Sequence, residues 1–242
     1  MGQQNLYGVT SATPGVPLVY ESAALGALPG AAAMTAGVLA RLDSIAIGDL
    51  VGVSFGHDAA SGWRINLIRT VTAGIEVVTA KIKIGAETAT IPIGAVLGDW
   101  ILVTFTVDTG DDLVVYVNGE QALADTLAAP LVPAIDAADL RIPKGAAVNT
   151  AFYTESALTS LQVAALYDLV QTQTISPTDG LQHVYNATRT LRPTALVQTF
   201  LDSGLTPTVP LVAVPGNTAL AYVRAGDFGQ PVIAPLVAAA LA

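Results

Sequence analysis

Ser54 sits in Gly52-Val53-Ser54-Phe55-Gly56, the G-x-S-x-G spacing that places a nucleophilic serine on a tight strand-to-helix turn. Aspartates followed by His183 even supply the chain order of a hydrolase triad. The context argues against that chemistry. Gly56 leads into a short polar loop and then an alternating segment from Trp63, whereas the turn needs a helix after the serine. The motif reads instead as a small-residue strand end. His57 and His183 are the two histidines, too few to support a histidine metal site or an acid–base pair. The five glutamates, Glu21, Glu76, Glu87, Glu120 and Glu155, are widely scattered, so the paired carboxylates of glycoside hydrolysis would have to meet through folding. Asp108, Asp111 and Asp112 are the nearest approach to a calcium cluster, and a turn between antiparallel strands accounts for them without metal. No cofactor is expected. One loop does suit a sugar: Gly56 to Trp63 combines His57, Asp58 and Ser61 with an aromatic ring, the mix of hydrogen bonding and stacking that such sites use. His57, Asp58 and Trp63 are therefore the candidate glycan-binding residues. Core packing is the stronger reading of Trp63 and Trp100, and His57 beside Asp58 is most simply a solvated loop pair.

The elements that would position these residues are strands. Trp63 to Thr70 puts Trp63, Ile65 and Leu67 on one face and Arg64 and Asn66 on the other. Gly74 breaks the chain before Ile75 to Ile84, and Pro92 marks Glu87 to Ile93 as an edge or strand end. Trp100 to Asp108 alternates strictly, with Ile101, Val103, Phe105 and Val107 against Thr104, Thr106 and Asp108. After the turn residues Thr109 to Asp112, Leu113 to Val117 meets Asn118-Gly119, whose positive φ angles fit a type I′ hairpin with Val117 and Glu120 starting its arms. Leu140 to Ile142 is a further short strand. Thr159-Ser160-Leu161-Gln162 is a capping box for a helix over Ser160 to Val170, with Leu161, Ala165, Leu166 and Leu169 on its buried side.

Composition bounds the role. Over 242 residues, 52% are hydrophobic and 12% charged, which excludes disorder. Ten Lys+Arg against nineteen Asp+Glu give −9, so nucleic-acid binding is not expected. The absence of cysteine removes disulfides, thiolate zinc sites and thiol catalysis. Mean hydropathy is +0.57, yet the three uncharged stretches, 22–40, 203–223 and 228–242, are broken by proline or too short to span a bilayer. The N-terminus lacks a basic n-region, so cytoplasmic synthesis without a signal peptide is expected. So few ionised side chains leave apolar surface to cover, either by Thr, Ser, Asn, Gln and Gly or by partner subunits.

The run Asp99 to Asp108, then Gly110 and Leu113-Val114-Val115-Tyr116-Val117-Asn118-Gly119, resembles the core signature of the concanavalin A-like, laminin G-type jelly rolls. Leu140-Arg141-Ile142 with Ala157 to Val163 and Leu166-Tyr167 is similar to that family's closing segment. The resemblance covers residues 16 to 172 and implies an all-β jelly-roll sandwich with one short helix. Glycan-binding relatives often hold calcium with loop carboxylates, and glycosidase relatives carry E-x-D-x-x-E; neither pattern is present here.

The chain from Thr172 onward differs in kind. Seven of the fourteen prolines lie between Pro177 and Pro235, which favours extended or loop conformations. Gln182 to Leu191 reads as one helix, and Ala195 to Leu201 as a strand or helix. The reading is a laminin G-like sandwich over 1–172 with a Pro-rich extension over 173–242 that packs on the sandwich or on a neighbouring subunit. The functional expectation is a non-catalytic structural or adhesion subunit of a larger assembly, such as a phage virion or tail-like particle, that contacts its own copies, other subunits and host glycans. A free lectin-like carbohydrate-binding module is the alternative, and a glycoside hydrolase the third.

Overall fold

The computed structural model describes residues 7–11, 16–22, 33–43, 45, 47–48, 52–56, 62–94, 98–129, 138–172, 181, 183–186, 199–200, 211–213 and 220–224. Two antiparallel sheets face each other. The first runs β10 (Glu120–Thr126), β9 (Asp112–Val117), β8 (Trp100–Val107), β3 (Met34–Leu42), β12 (Ala146–Thr154), β1 (Tyr7–Ser11) and β16 (Leu220–Arg224), with β13 (His183–Asn186) also paired to β12. The second runs β14 (Thr199–Phe200), β15 (Leu211–Ala213), β2 (Leu18–Ser22), β11 (Ala138–Ile142), β4 (Val53–Gly56), β5 (Trp63–Thr72), β6 (Ile75–Ile84) and β7 (Glu87–Gly94). One helix, α1, spans Ser160–Thr172. The all-β jelly-roll sandwich with a short helix is what the sequence predicts.

Alternation decides which side chains fill the space between the sheets. Ile101, Val103, Phe105 and Val107 of β8 enter the main core with Met34, Ala36 and Val38 of β3, and meet Phe55, Ile65, Leu67 and Ile82 of the second sheet. The opposite face of the first sheet is also buried: Trp100, Leu102, Leu39 and Phe152 pack with Leu166 of α1 and with Leu181 and Val184. Strands β8 and β3 are thus covered on both faces, so their side chains are buried throughout, Thr35, Arg41, Thr104 and Thr106 included. Phe152 lies directly over Gly37, where an added Cβ would come 2.2 Å from its ring. Arg41, 1% exposed, sets its guanidinium 5.9 Å from the Trp100 ring centroid and pairs with Asp43 at 2.9 Å.

Asn118 and Gly119 have φ of 53° and 83°, and Val117 pairs with Glu120, so the hairpin forms where the Asn-Gly pair places it. Asn118 also prolongs the pairing of β9 with β8: its Oδ1 accepts from the Leu102 amide at 2.9 Å, and its own amide donates to the Leu102 carbonyl at 2.8 Å. Gly119 sits against α1, with a Cβ there falling 3.1 Å from Tyr167 Cβ and 3.3 Å from Ala164 Cα. Gly119→Ala is expected to lower the unfolding free energy by about 1–2 kcal/mol from the left-handed backbone alone. A urea midpoint equal to that of the parent protein would contradict this packing.

The capping box forms, with the Thr159 amide donating to Gln162 Oε1 at 2.9 Å and the Gln162 amide to Thr159 Oγ1 at 3.3 Å. The buried face of α1 differs from the sequence reading. Leu161 is 81% exposed and Ala165 is exposed, while Val163 and Leu166 are buried and Tyr167 and Leu169 pack beside them. Leu166 and Leu169 pack as expected, and Val163 takes the buried place expected of Leu161. The helix expected over Gln182 to Leu191 is also corrected: residues 183–186 form a strand, since β12 offers them an open ladder from Thr150 to Tyr153. Among the described residues, the four strands after residue 172 are two to five residues long and contain no proline, each fitting between the proline positions. Of the end segment 228–242, everything lies outside the described residues.

Pro92 lies in β7, an end strand of the second sheet among the described residues, which suits its missing amide. Glu87 at the start of that edge accepts from the amides of Ala128 and Ala129 at 2.7 and 3.2 Å, linking it to the chain just beyond β10.

Candidate functional site on the second sheet

On the second sheet, one face enters the core and the other carries most of the polar chemistry. Leu18 and Tyr20 of β2, Leu140 and Ile142 of β11, Val53 and Phe55 of β4, Trp63, Ile65 and Leu67 of β5, and Val78, Ala80, Ile82 and Ile84 of β6 point inward. Period-two geometry then sends Glu21, Asp139, Arg141, Ser54, Arg64, Asn66, Lys81 and Lys83 to the outer face. Register aligns them in two rows. The first reads Glu21, Asp139, Gly56, Arg64, Lys83, Thr88, and the second Val19, Arg141, Ser54, Asn66, Lys81, Thr90, each running from β2 to β7.

Gly56 in the first row leaves a gap between Asp139 and Arg64. Arg64 reaches across β4 through that gap and forms an ion pair with Asp139 Oδ1 at 2.9 Å, the two side chains being 7% and 9% exposed. The same guanidinium donates to Ser54 Oγ in the neighbouring row. Arg141 holds the other oxygen of Asp139, with Nη2 at 2.6 Å and Nε at 2.7 Å, and keeps 44% of its side chain in solvent. One carboxylate is thus gripped from two sides, by one buried arginine and one partly exposed. Both glycines of the G-x-S-x-G run are explained by backbone proximity. A Cβ at Gly52 would fall 2.2 Å from the Leu67 carbonyl oxygen, and one at Gly56 2.2 Å from that of Trp63. Ser54 therefore serves as an acceptor for Arg64 on a strand, and His183 belongs to a strand of the other sheet.

The remaining acidic groups have local tasks. Asp108 Oδ1 accepts from the amides of Gly110 and Asp112 at 2.8 and 3.0 Å, and Asp112 Oδ1 from the Thr126 hydroxyl at 2.8 Å, which is turn construction. Among the described residues no group of three or more His, Asp or Glu is arranged to hold a metal ion. Register sets Glu21 opposite Asp139, both of whose oxygens lie at ion-pair distance from arginines.

Of the candidate glycan-binding residues, His57 and Asp58 lie outside the described residues. Trp63 is 6% exposed and belongs to the inter-sheet core. Its indole stacks on Tyr153 with centroids 5.5 Å apart and planes 4° apart, and meets Phe55 and Phe105 edge-on at 5.3 and 5.8 Å. Burial among these rings, with the charge of Glu155 adding to it, pushes the Tyr153 phenol well above the usual tyrosine range. The outer-face residues Asp139, Arg141, Lys81 and Lys83 belong to no motif, and Ser54 belongs to one whose chemistry it does not follow. Their available signal is alternation itself, visible in Lys81-Ile82-Lys83 and Leu140-Arg141-Ile142.

No protein-family model matches the chain, and no curated protein does. Solved structures do resemble it. A candidate carbohydrate-binding protein from Bacteroides ovatus is 14% identical, with a TM-score of 0.61 over 94% of this chain and 61% of that one. Domain 4 of an extracellular GH43 arabinanase from Geobacillus stearothermophilus, in complex with arabinotriose, is 15% identical, with a TM-score of 0.45 over 66% of this chain and 87% of that one. The heptameric SAP-like pentraxin of Limulus polyphemus is 12% identical, with a TM-score of 0.46 over 69% and 83%. The chain spans about three fifths of the length of the Bacteroides ovatus protein. The likeness is one of fold: a concanavalin-like jelly-roll sandwich.

Proposed function

We propose that this chain is a non-catalytic, glycan-contacting sandwich of laminin G type that works as an adhesion or structural subunit of a larger assembly, such as a virion or tail-like particle. The observation that carries the glycan reading is the outer face of the second sheet. Six adjacent strands present hydroxyl, amide, ammonium, guanidinium and carboxylate groups in two registered rows, around a Ser54 that is buried on its strand and accepts from Arg64. The carbohydrate-binding role suggested for the Bacteroides ovatus protein agrees with it. The assembly reading is supported by the scarcity of charge and by exposed Ile47, Val71 and Ile75, the last two flanking the β5–β6 turn at 51% and 60% exposure. In this reading residues 173–242 complete the sandwich edges and offer contact to a neighbouring subunit, and the protein made in the cytoplasm ends in a particle.

Two measurements test it. A broad glycan array containing neutral and acidic oligosaccharides is expected to give reproducible binding, and an empty array overturns the glycan role. Light scattering on the purified chain is expected to report a multimer. A monomer at high concentration overturns the assembly role and leaves a free carbohydrate-binding module.

A further inference from the structure

The two sheets have end strands on a common side. Among the described residues β10 ends the first sheet and β7 the second, and Glu87 of β7 accepts from the Ala128 and Ala129 amides just beyond β10. Every residue of β10 but Leu123 is exposed, as are Thr88, Thr90 and Pro92 of β7. An end strand left in water is a template on which another chain can pair. We infer that this side of the sandwich is built to stay unpaired, and that copies of the chain meet through another surface. The inference goes beyond the assembly reading above, because it concerns where contact is refused.

Shape is the first obstacle to pairing. Gln121 pairs with Tyr116 and Leu123 with Val115, which leaves Ala122 as an extra residue in β10. Pro92 pairs with Thr79 and Gly94 with Val78, which leaves Ile93 extra in β7. Bulges of this kind bend a strand and take its outer groups out of line with a straight partner. Pro92 also has no amide to give a further strand. Charge is the second obstacle. Lys and Arg are absent from residues 84–140, while Glu120 and Asp125 lie on β10 and Asp112 accepts from the Thr126 hydroxyl at its end. With two β10 strands laid antiparallel about Leu123, Glu120 of one copy faces Thr126 of the other and stands one position from its Asp125, roughly 6 Å away by strand spacing and rise. A two-fold axis repeats that encounter. The separation is inside the Debye length of about 8 Å at 0.15 M, so salt leaves much of the repulsion in place. The opposite side of the sandwich differs. It ends in β16 and β14, whose ladders to β1 and β15 run without a register shift and whose strands contain no proline.

The test uses the full chain, whose lack of cysteine makes an introduced thiol unique. Ala124→Cys places that thiol on the exposed strand, and a short bis-maleimide is expected to link no pairs of this variant. Adding Glu120→Gln and Asp125→Asn removes both charges and keeps side-chain shape. That protein is expected to give linked pairs and about twice the parent mass by light scattering. Both positions are exposed, so its far-UV circular dichroism and urea midpoint should match the parent. A charge-reversed copy, Glu120→Lys/Asp125→Lys, carrying the same thiol, should link to the Ala124→Cys protein on mixing and not to itself. Linked pairs from Ala124→Cys alone show that copies already meet here and overturn the inference. A charge-stripped protein that keeps the parent mass and stays unlinked overturns it as well, and so does a mixture that stays unlinked. A parent that is monomeric by light scattering overturns the assembly reading and leaves this inference standing.

Discussion

Trp63→Ala is expected to remove about 3–5 kcal/mol of unfolding free energy, the range for truncating a large aromatic in a core. The indole is the contact between the two sheets: it stacks on Tyr153 of β12, touches the edge of Phe105 from β8, and abuts Phe55 on its own sheet. Removing it empties a space bounded by three rings anchored on separate strands. The backbone cannot collapse into that space without shifting both ladders. Denaturant unfolding monitored by far-UV circular dichroism measures the cost. The folded fraction of the variant should bind glycan as the parent does, because the indole lies between the sheets. A variant that keeps full stability and loses binding would place Trp63 on the surface and refute the core assignment.

Asp139→Ala should be nearly as severe, again about 3–5 kcal/mol, for a different reason. Arg64 is 7% exposed and leans across Gly56 to reach that carboxylate. Without Asp139 its charge stays out of water, beside the Ser54 hydroxyl that accepts from it. The cost is mainly that of stranding the cation, so removing both charges should be far milder than removing one. Arg64→Met/Asp139→Leu is therefore expected to recover most of the loss. Equal damage from the single and double variants would show that the pair contributes through shape and not charge.

Local signals in the sequence were sufficient wherever one short segment decides its own conformation. The strict alternation of Trp100 to Val107, the Asn118-Gly119 turn and the Thr159–Gln162 capping box each depend on residues within a few positions, and each appears as expected. On α1, Leu166 and Leu169 pack as helical periodicity predicts, whereas Leu161 and Ala165 stay exposed, because the buried face depends on where the helix lies over Trp100 and Leu102. Residues 183–186 show the same limit, since an available partner on β12 outweighed a helical pattern. The candidate site was half visible. The face shared by Arg64 and Asn66 follows from alternation, but its union with Lys81, Lys83, Asp139 and Arg141 needs the order of β11, β4, β5 and β6. Strand order is a property of the whole chain, and no window of sequence contains it.

The seams of this protein are sewn by distant thread. Tyr7 pairs with Arg224 and Ser11 with Leu220, while Glu21 of the second sheet pairs with Val212. A ribosome releasing the chain would hold out β1 and β2 with one ladder edge bare until the matching segments emerged. Closure over such sequence separations is slow, and bare strand edges invite the wrong neighbour in the meantime. Synthesis rate and crowding by sister chains should therefore govern how much of this protein reaches its native form.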